Sequence, residues 1–236
     1  MQGNPSNNPS ALRPHQATAA ELVAGGKNIA IPAEQPLGEL TQSPVKEYSL
    51  LADPDEINRE EARLFKWALA NHRLFADQEI VEFETQAGHH GGGSEHDVWK
   101  IETPDFAFMI RRTINDSYGF RFSSPFQYLR RMAEFSIQVP CAAIKFLGVS
   151  KNSRGNGVIW TVQPYIEGDH LSQGALVTHL GKNGWRRVVT RDNHLVFEHA
   201  ATGIRMHDVH SGNFIRQKNG ALVPIDVYFE GIKSGL

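Results

Sequence analysis

Apolar and polar positions along the chain change period several times, and each change marks an element. Over residues 1–46 no period holds, and Asn, Pro, Ser, Gln, Ala and Gly dominate. Only ATAAELVA has the makings of a helical turn or two. This stretch reads as a flexible arm or linker, with a strap docked on the following lobe as the alternative. Order is expected from Asp53. Asp53-Pro54-Asp55-Glu56 combines an N-cap Asp, a Pro at the first helical position and a Glu three residues after the cap. Ile57, Glu61, Leu64, Phe65, Ala68, Leu69 and His72 then recur at helical spacing, predicting an amphipathic helix to about Arg73 with His72 packed on or near its apolar face. Glu79–Glu84 and Asp97–Glu102 alternate as half-buried strands do, on either side of AGHHGGGSEH, and Phe106–Thr113 is a third strand. Ser124-Pro125-Phe126-Gln127 starts a second helix, which runs through YLRRMAEFSI and stops before Pro140. CAAIKFLGVS and VIWTVQPYIEG predict two more strands around the turn NSRGNG. Ser172 caps a short helix, QGALVTHL, ending at Gly181. Weak strands follow near Arg187–Thr190 and Leu195–Glu198. The fold class is therefore α+β.

The last ordered stretch, HDVHSGNFIRQKNGALVPIDVYF (His207–Phe229), carries the candidate chemistry. Apolar runs flank Asn219-Gly220, a strong signal for a tight hairpin turn. Asn213 and Asp226 should then sit at the same end of a small antiparallel pair, aimed at one point. Asp208 is a carboxylate able to accept the proton of an attacking hydroxyl. Asn213 and Asp226 offer the oxygen ligands that Mg²⁺ takes. Read without its neighbours, the stretch is an ordinary hairpin with polar residues in its turns.

Composition narrows the classes. The chain has 236 residues, 40% of them hydrophobic, enough for one domain with a core or for two small lobes. A formal net charge of −2 gives no sign of a nucleic-acid or membrane surface partner. The single cysteine, Cys141, excludes an internal disulfide and reads as a buried thiol in the run VPCAAIKFLGV. No apolar run approaches a membrane span, and MQGNPSNNPS lacks the charged and apolar regions of a signal peptide, so a cytoplasmic address is expected. His89, His90 and His96 invite a metal reading, but no cysteine or fitting fourth ligand accompanies them.

Asp208-Val-His-Ser-Gly-Asn213 resembles the catalytic loop of the protein-kinase-like superfamily, whose protein kinases carry H-R-D-x-x-x-x-N followed by D-F-G. The form HDVHSGN is similar to the H-x-D-x-H-x-x-N of aminoglycoside phosphotransferases. DVHSGNF followed by VPIDV resembles most closely the kinase domains of polyvalent proteins, large multidomain proteins of phages and conjugative elements. The resemblance covers roughly residues 78–229, and Asp226 is followed by Val227-Tyr228 where D-F-G is expected.

The resemblance implies a minimal bilobal kinase-like fold: an N-terminal lobe (about 53–162) with an antiparallel sheet and one helix, and a reduced C-terminal lobe (about 163–236), together forming a domain over 47–236. It implies ATP and Mg²⁺ as cofactors and an unidentified hydroxyl-bearing acceptor, protein or small molecule. Asp208, Asn213 and Asp226 would be catalytic, with Asn213 and Asp226 holding the metal. Gly91, Gly92 and Gly93 would cover phosphates, although they do not reproduce G-x-G-x-x-G and read equally as a flexible hairpin turn. Arg111 stands where the third-strand Lys of kinases stands, either on phosphate or as a strand-edge residue in solvent. Glu134 either pairs with Arg111 or is exposed. Gln163–Gly168 resembles the adenine-reading hinge, with Asp169 placed to meet ribose. Ten residues follow Asp226, too few for an activation segment: the chain is a minimal core or a piece of a longer polypeptide. A pseudokinase, binding nucleotide without turnover, and a structural module of a mobile-element protein are the alternatives.

Overall fold

A computed structural model gives the fold and describes residues 53–87, 91–93, 95–102, 104, 107–114, 118, 123–189 and 195–231. The arm expected over 1–46 lies outside the described residues, as do His89 and His90. The chain is α+β with antiparallel sheets and four α-helices among the described residues.

Helix α1 (Pro54–Ala70) begins as its sequence dictates: Asp53 caps it, its side chain accepting from the Asp55 N–H at 3.0 Å. It ends earlier than expected. Asn71 is the C-cap, and His72 follows in a left-handed conformation (φ +54) and is exposed, not packed on the apolar face. Leu64 and Ala68 are buried, while two carboxylates dock the helix. Glu60 accepts the Phe126 N–H at 3.0 Å, and Glu61 accepts the Gly157 N–H at 2.7 Å and the Tyr118 hydroxyl at 2.9 Å.

The strand expected over Glu79–Glu84 is a helix, α2 (Asp77–Ala87). The segment EIVEFE alternates only loosely. Ile80, Phe83 and Ala87 fall on one helical face and pack on the sheet, leaving Val81 at 61% exposure. Arg112 pins this helix. Its guanidinium pairs with Glu84 and, at 2.7 Å, with Asp97, and lies 5.2 Å and 5.3 Å from the Trp99 and Trp160 ring centres.

Five strands form the first sheet in the order β1-β2-β3-β5-β4: β1 (Gly91–Gly92), β2 (His96–Glu102), β3 (Ala107–Thr113), β4 (Lys145–Lys151) and β5 (Gly157–Pro164). All pairs are antiparallel. The strand entering the glycine turn is thus only the two glycines, paired with Val98 and Asp97. On one face of the sheet α1 and α3 (Pro125–Gln138) bury Leu64, Tyr128, Leu129, Met132 and Ile159. On the other, α2 buries Phe83 against Trp99, Ile110 and Trp160. Helix α3 has the predicted start: Ser124 accepts from Gln127 N–H at 3.3 Å, and the Gln127 side chain returns to Ser124 N–H at 3.2 Å.

The strand expected from Cys141 begins later. Pro140–Ala142 is a 3₁₀ turn and β4 starts at Lys145, so Cys141 is exposed rather than buried. Proline at the head of the turn breaks the run, and Ala142 takes the buried position in its place.

A second core gathers α4 (Gln173–Lys182), the four-stranded sheet β11-β8-β7-β6 and the hairpin β9-β10. Its strands are β6 (Trp185–Val189), β7 (Leu195–His199), β8 (Arg205–His207), β9 (Phe214–Arg216), β10 (Leu222–Pro224) and β11 (Tyr228–Glu230). Helix α3 joins the two cores: Phe135 belongs to the second, and Leu129 and Met132 to the first. Among the described residues no helix is long and apolar enough to cross a membrane.

Candidate active site

Strand β8 ends at His207 and delivers Asp208 to a sharp backbone turn. Asp208 has φ +58, a left-handed conformation that Asp tolerates better than most side chains. Asn213, 7% exposed, holds it there, its amide nitrogen donating to the Asp208 carbonyl at 2.9 Å and to Asp208 Oδ2 at 2.8 Å. Both hydrogens of that amide are spent, and Asn213 Oδ1 is the atom left to meet a cation. The loop between them is fixed from outside. Gln173 Oε1 accepts the Ser211 N–H at 2.8 Å, and His170 Nδ1 lies 3.1 Å from Ser211 O and 3.0 Å from Phe214 O. His210 accepts the Gly212 N–H on Nδ1 at 3.2 Å, which leaves its Nε2, 3.9 Å from Asp208 Oδ2, as the protonated nitrogen of the neutral ring. His207 stacks on Tyr228 at 4.5 Å and reaches Glu230 at 2.9 Å, tying β8 to β11.

The hairpin predicted at Asn219-Gly220 is present. Leu222, Val223 and Pro224 pair with Arg216, Ile215 and Phe214, and Gly220 supplies the turn with φ +86. Ile225 N–H donates to Asn213 O at 2.9 Å, so Asn213 and Asp226 leave the same end of the hairpin. Gly168 seals the other end: a Cβ there would overlap the Arg216 carbonyl, next to the backbone bridge between Asp169 and Arg216.

Asp226 turns to the first sheet. Its Oδ1 accepts from Arg111 Nη2 at 2.7 Å. Arg111 is not a strand-edge residue in solvent: it sits on β3 between β2 and β5 and is 6% exposed. The same Nη2 lies 3.0 Å from His96 Nδ1, and Nη1 donates to Gln163 Oε1 at 3.4 Å. Gln163 in turn donates to Ala142 O at 3.0 Å and Ile225 O at 3.1 Å, stitching the first sheet to the residue before Asp226. Desolvation opposes the charge on Asp226, but the Arg111 guanidinium outweighs it and holds the carboxyl below its ordinary value.

Between the two cores lies an open cleft whose lining includes Arg111, Asp208, Asp226, Glu95, His96 and Arg131. Burial, with the neighbouring charge of Asp226, pushes Glu95 up to about 7, against the pull of Arg131. Arg131, on α3, donates to Tyr118 O at 3.2 Å and Ser123 Oγ at 3.1 Å.

The structure therefore brings Asp208, Asp226 and Arg111 together at one cleft, with Asn213 bonded to Asp208 behind it. It does not bring Glu134 to Arg111. Glu134 is engaged by Arg130 one turn back at 2.9 Å, and Arg111 has taken Asp226 instead. Gly91–Gly93 and Asp169 do not line the cavity, and Asp169 is exposed. His96, one of the histidines that invited a metal reading, is a buried hydrogen-bonding residue. Among the described residues no three His, Cys, Asp or Glu side chains are grouped to hold a metal. Asn213 and Asp226 still suit Mg²⁺, being hard oxygen donors at one hairpin end, but too few to enclose it; phosphate and water oxygens would complete its shell. Sequence reasoning missed Glu95, Tyr128 and Arg131 as parts of this site, and it placed Gln163 in the hinge rather than on Arg111. Each of the three missed residues lies within an apolar or turn pattern that carries no local sign of chemistry.

No curated protein matches the chain. The family model described as serine/threonine/tyrosine kinase found in polyvalent proteins matches residues 58–231, a span running from α1 to just beyond β11. That span takes in both cores and every residue of the cleft, and the chain belongs to this family of kinases found in polyvalent proteins.

Proposed function

We propose that this chain transfers the terminal phosphoryl group of ATP, with Mg²⁺, to a hydroxyl on a protein or small molecule, using a minimal two-lobed kinase arrangement. The observation that carries the reading is Asp208, held in a left-handed turn by Asn213 across one cavity from the Arg111–Asp226 pair. Asp208 is half-exposed, as a base that must reach an incoming hydroxyl needs to be. Asn213 orients it by binding both its carbonyl and its carboxylate. Arg111 offers a forked cation to the phosphates. Mg²⁺, held by Asn213 Oδ1 and the Asp226 carboxylate, would supply neutralisation of phosphate charge. Catalysis on this reading is positioning and charge compensation. The reading also requires the nucleotide to extend out of the cavity, its ribose towards Asp169 and its phosphates under Gly91–Gly93.

The test is phosphate transfer from γ-labelled ATP to a broad set of acceptors, alongside ATP·Mg²⁺ binding. Asp208→Asn should lower transfer by ~10²–10⁴-fold while leaving ATP affinity nearly unchanged. Transfer by Asp208→Asn at the wild-type rate refutes the base assignment. Binding of ATP·Mg²⁺ by the wild type without transfer to any acceptor makes the chain a nucleotide-binding module instead.

A further inference from the structure

A guanidinium buried in the middle of a sheet must place its N–H donors on acceptors, because a stranded donor there carries its full desolvation penalty. Arg111 has three such acceptors, one charged (Asp226) and two neutral (His96 and Gln163). Nη2 carries two hydrogens. One goes to His96 Nδ1 at 3.0 Å and the other to Asp226 Oδ1 at 2.7 Å, at the cavity. Fixing the first fixes the direction of the second.

The chemistry of the contact sets the histidine's tautomer. Arginine can only donate, so His96 Nδ1 holds a lone pair and its proton sits on Nε2. That Nε2 lies 2.8 Å from the hydroxyl of Tyr128, the fourth residue of α3, and donates to it. Both His96 and Tyr128 are 5% exposed, and their ring centres are 5.7 Å apart. Burial, joined by the charge of Arg111, pushes His96 down to about 3, which agrees with a neutral ring.

We propose that His96 and Tyr128 are positioning residues for phosphate binding, an uncharged relay from helix α3 that fixes the plane of the Arg111 guanidinium without neutralising it. This rests on the phosphotransferase reading above. A carboxylate in the place of His96 would orient Arg111 equally well but would be its second counter-charge after Asp226, weakening its pull on phosphate. A neutral ring orients and leaves the charge available. The relay also makes Arg111 answer to α3 through Tyr128, in the first turn, and not through Glu134.

The test uses the 236-residue chain and compares ATP·Mg²⁺ with adenosine, which lacks the phosphates. His96→Leu should weaken ATP ~10–100-fold, the size of a lost hydrogen bond to a charged group, and leave adenosine unchanged. His96→Gln, whose amide can accept from Arg111 and donate to Tyr128, should restore most of the loss. Added to Arg111→Met, His96→Leu should have no further effect. Tyr128→Phe keeps ring and packing and should show a smaller loss in the same direction; it decides the matter if His96→Leu does not fold. Nitrogen NMR of His96 at pH 7 should show the neutral Nε2–H form. Equal losses for ATP and adenosine, additive effects with Arg111→Met, no rescue by Gln, or an Nδ1–H or doubly protonated ring overturns the relay. Wild-type chain that fails to bind ATP·Mg²⁺ removes the phosphotransferase reading and the relay's purpose with it, whereas intact wild-type binding with additive losses removes the relay alone.

Discussion

Glu95 shows how single side chains in this cleft are set by their neighbours. It follows the glycine turn, half-buried, and faces Asp226 and Asp208 as well as Arg131 and Arg111. Its carboxyl rises from 4.5 to about 7 because burial and the aspartates disfavour its charge. The folded state therefore binds a proton that the unfolded chain has released, and stability falls as pH climbs from 4.5 through about 7. Glu95→Gln should remove that dependence. Its melting temperature in the absence of nucleotide should match wild type below pH 4.5 and exceed it at pH 8, by a gain of about 1–3 kcal/mol, read from melts across the range. A constant difference at all pH values would contradict the assignment. At this scale the sequence was informative where chemistry is local: Asp208, Asn213 and Asp226 lie in one stretch with a hairpin between them. Arg111's partners were not legible, because they come from three separate segments: strand register places His96 and Gln163 beside β3, and Asp226 arrives from the turn after β10 in the other core.

Elements with both a cap and a period were read well. Helices α1 and α3 each start on a polar cap followed by proline, and their apolar faces run at helical spacing. The capping box of α3 satisfies donors at the end of the helix from which Tyr128 reaches His96. Ser124→Ala should lower stability by about 1 kcal/mol in chemical denaturation, and Ser124→Asp should recover most of it. The helix without a cap signal, α2, was misread. EIVEFE was short enough to fit a strand, and only the tertiary fit of Ile80 and Phe83 on the sheet decides for a helix. Cys141 sits in an apolar run, yet Pro140 sets a turn there and turns the thiol outward.

At the scale of the whole molecule, Gln163 is a polar link between the cores. It joins Arg111, Ala142 and Ile225 from the end of β5. Gln163→Met keeps the volume but leaves two carbonyls and a guanidinium hydrogen unpartnered, so a loss of about 1–3 kcal/mol is expected. Hydrogen exchange of the Ile225 amide should accelerate more than that of amides in the middle of β5. Uniform acceleration would mean that the residue stabilises the fold without stitching its halves. The α+β class with antiparallel sheets was visible in outline from the strand patterns, α3 and the late hairpin. The docking of α1 by Glu60 and Glu61 was not, since it depends on backbone N–H groups far along the chain. The ion pair of Arg111 with Asp226 has one more consequence, for the order of arrival. An empty cleft that has already balanced its own acid with an internal base has little need of a free divalent ion. Magnesium alone should therefore bind weakly and leave the melting temperature unmoved. On the phosphotransferase reading proposed above, magnesium together with ATP should raise it, since a phosphate oxygen would take the Nη2 hydrogen that Asp226 now accepts and release the carboxylate for the cation. In Arg111→Met the sequence of events should invert: manganese relaxation measurements should detect a metal-only complex that the wild type does not form.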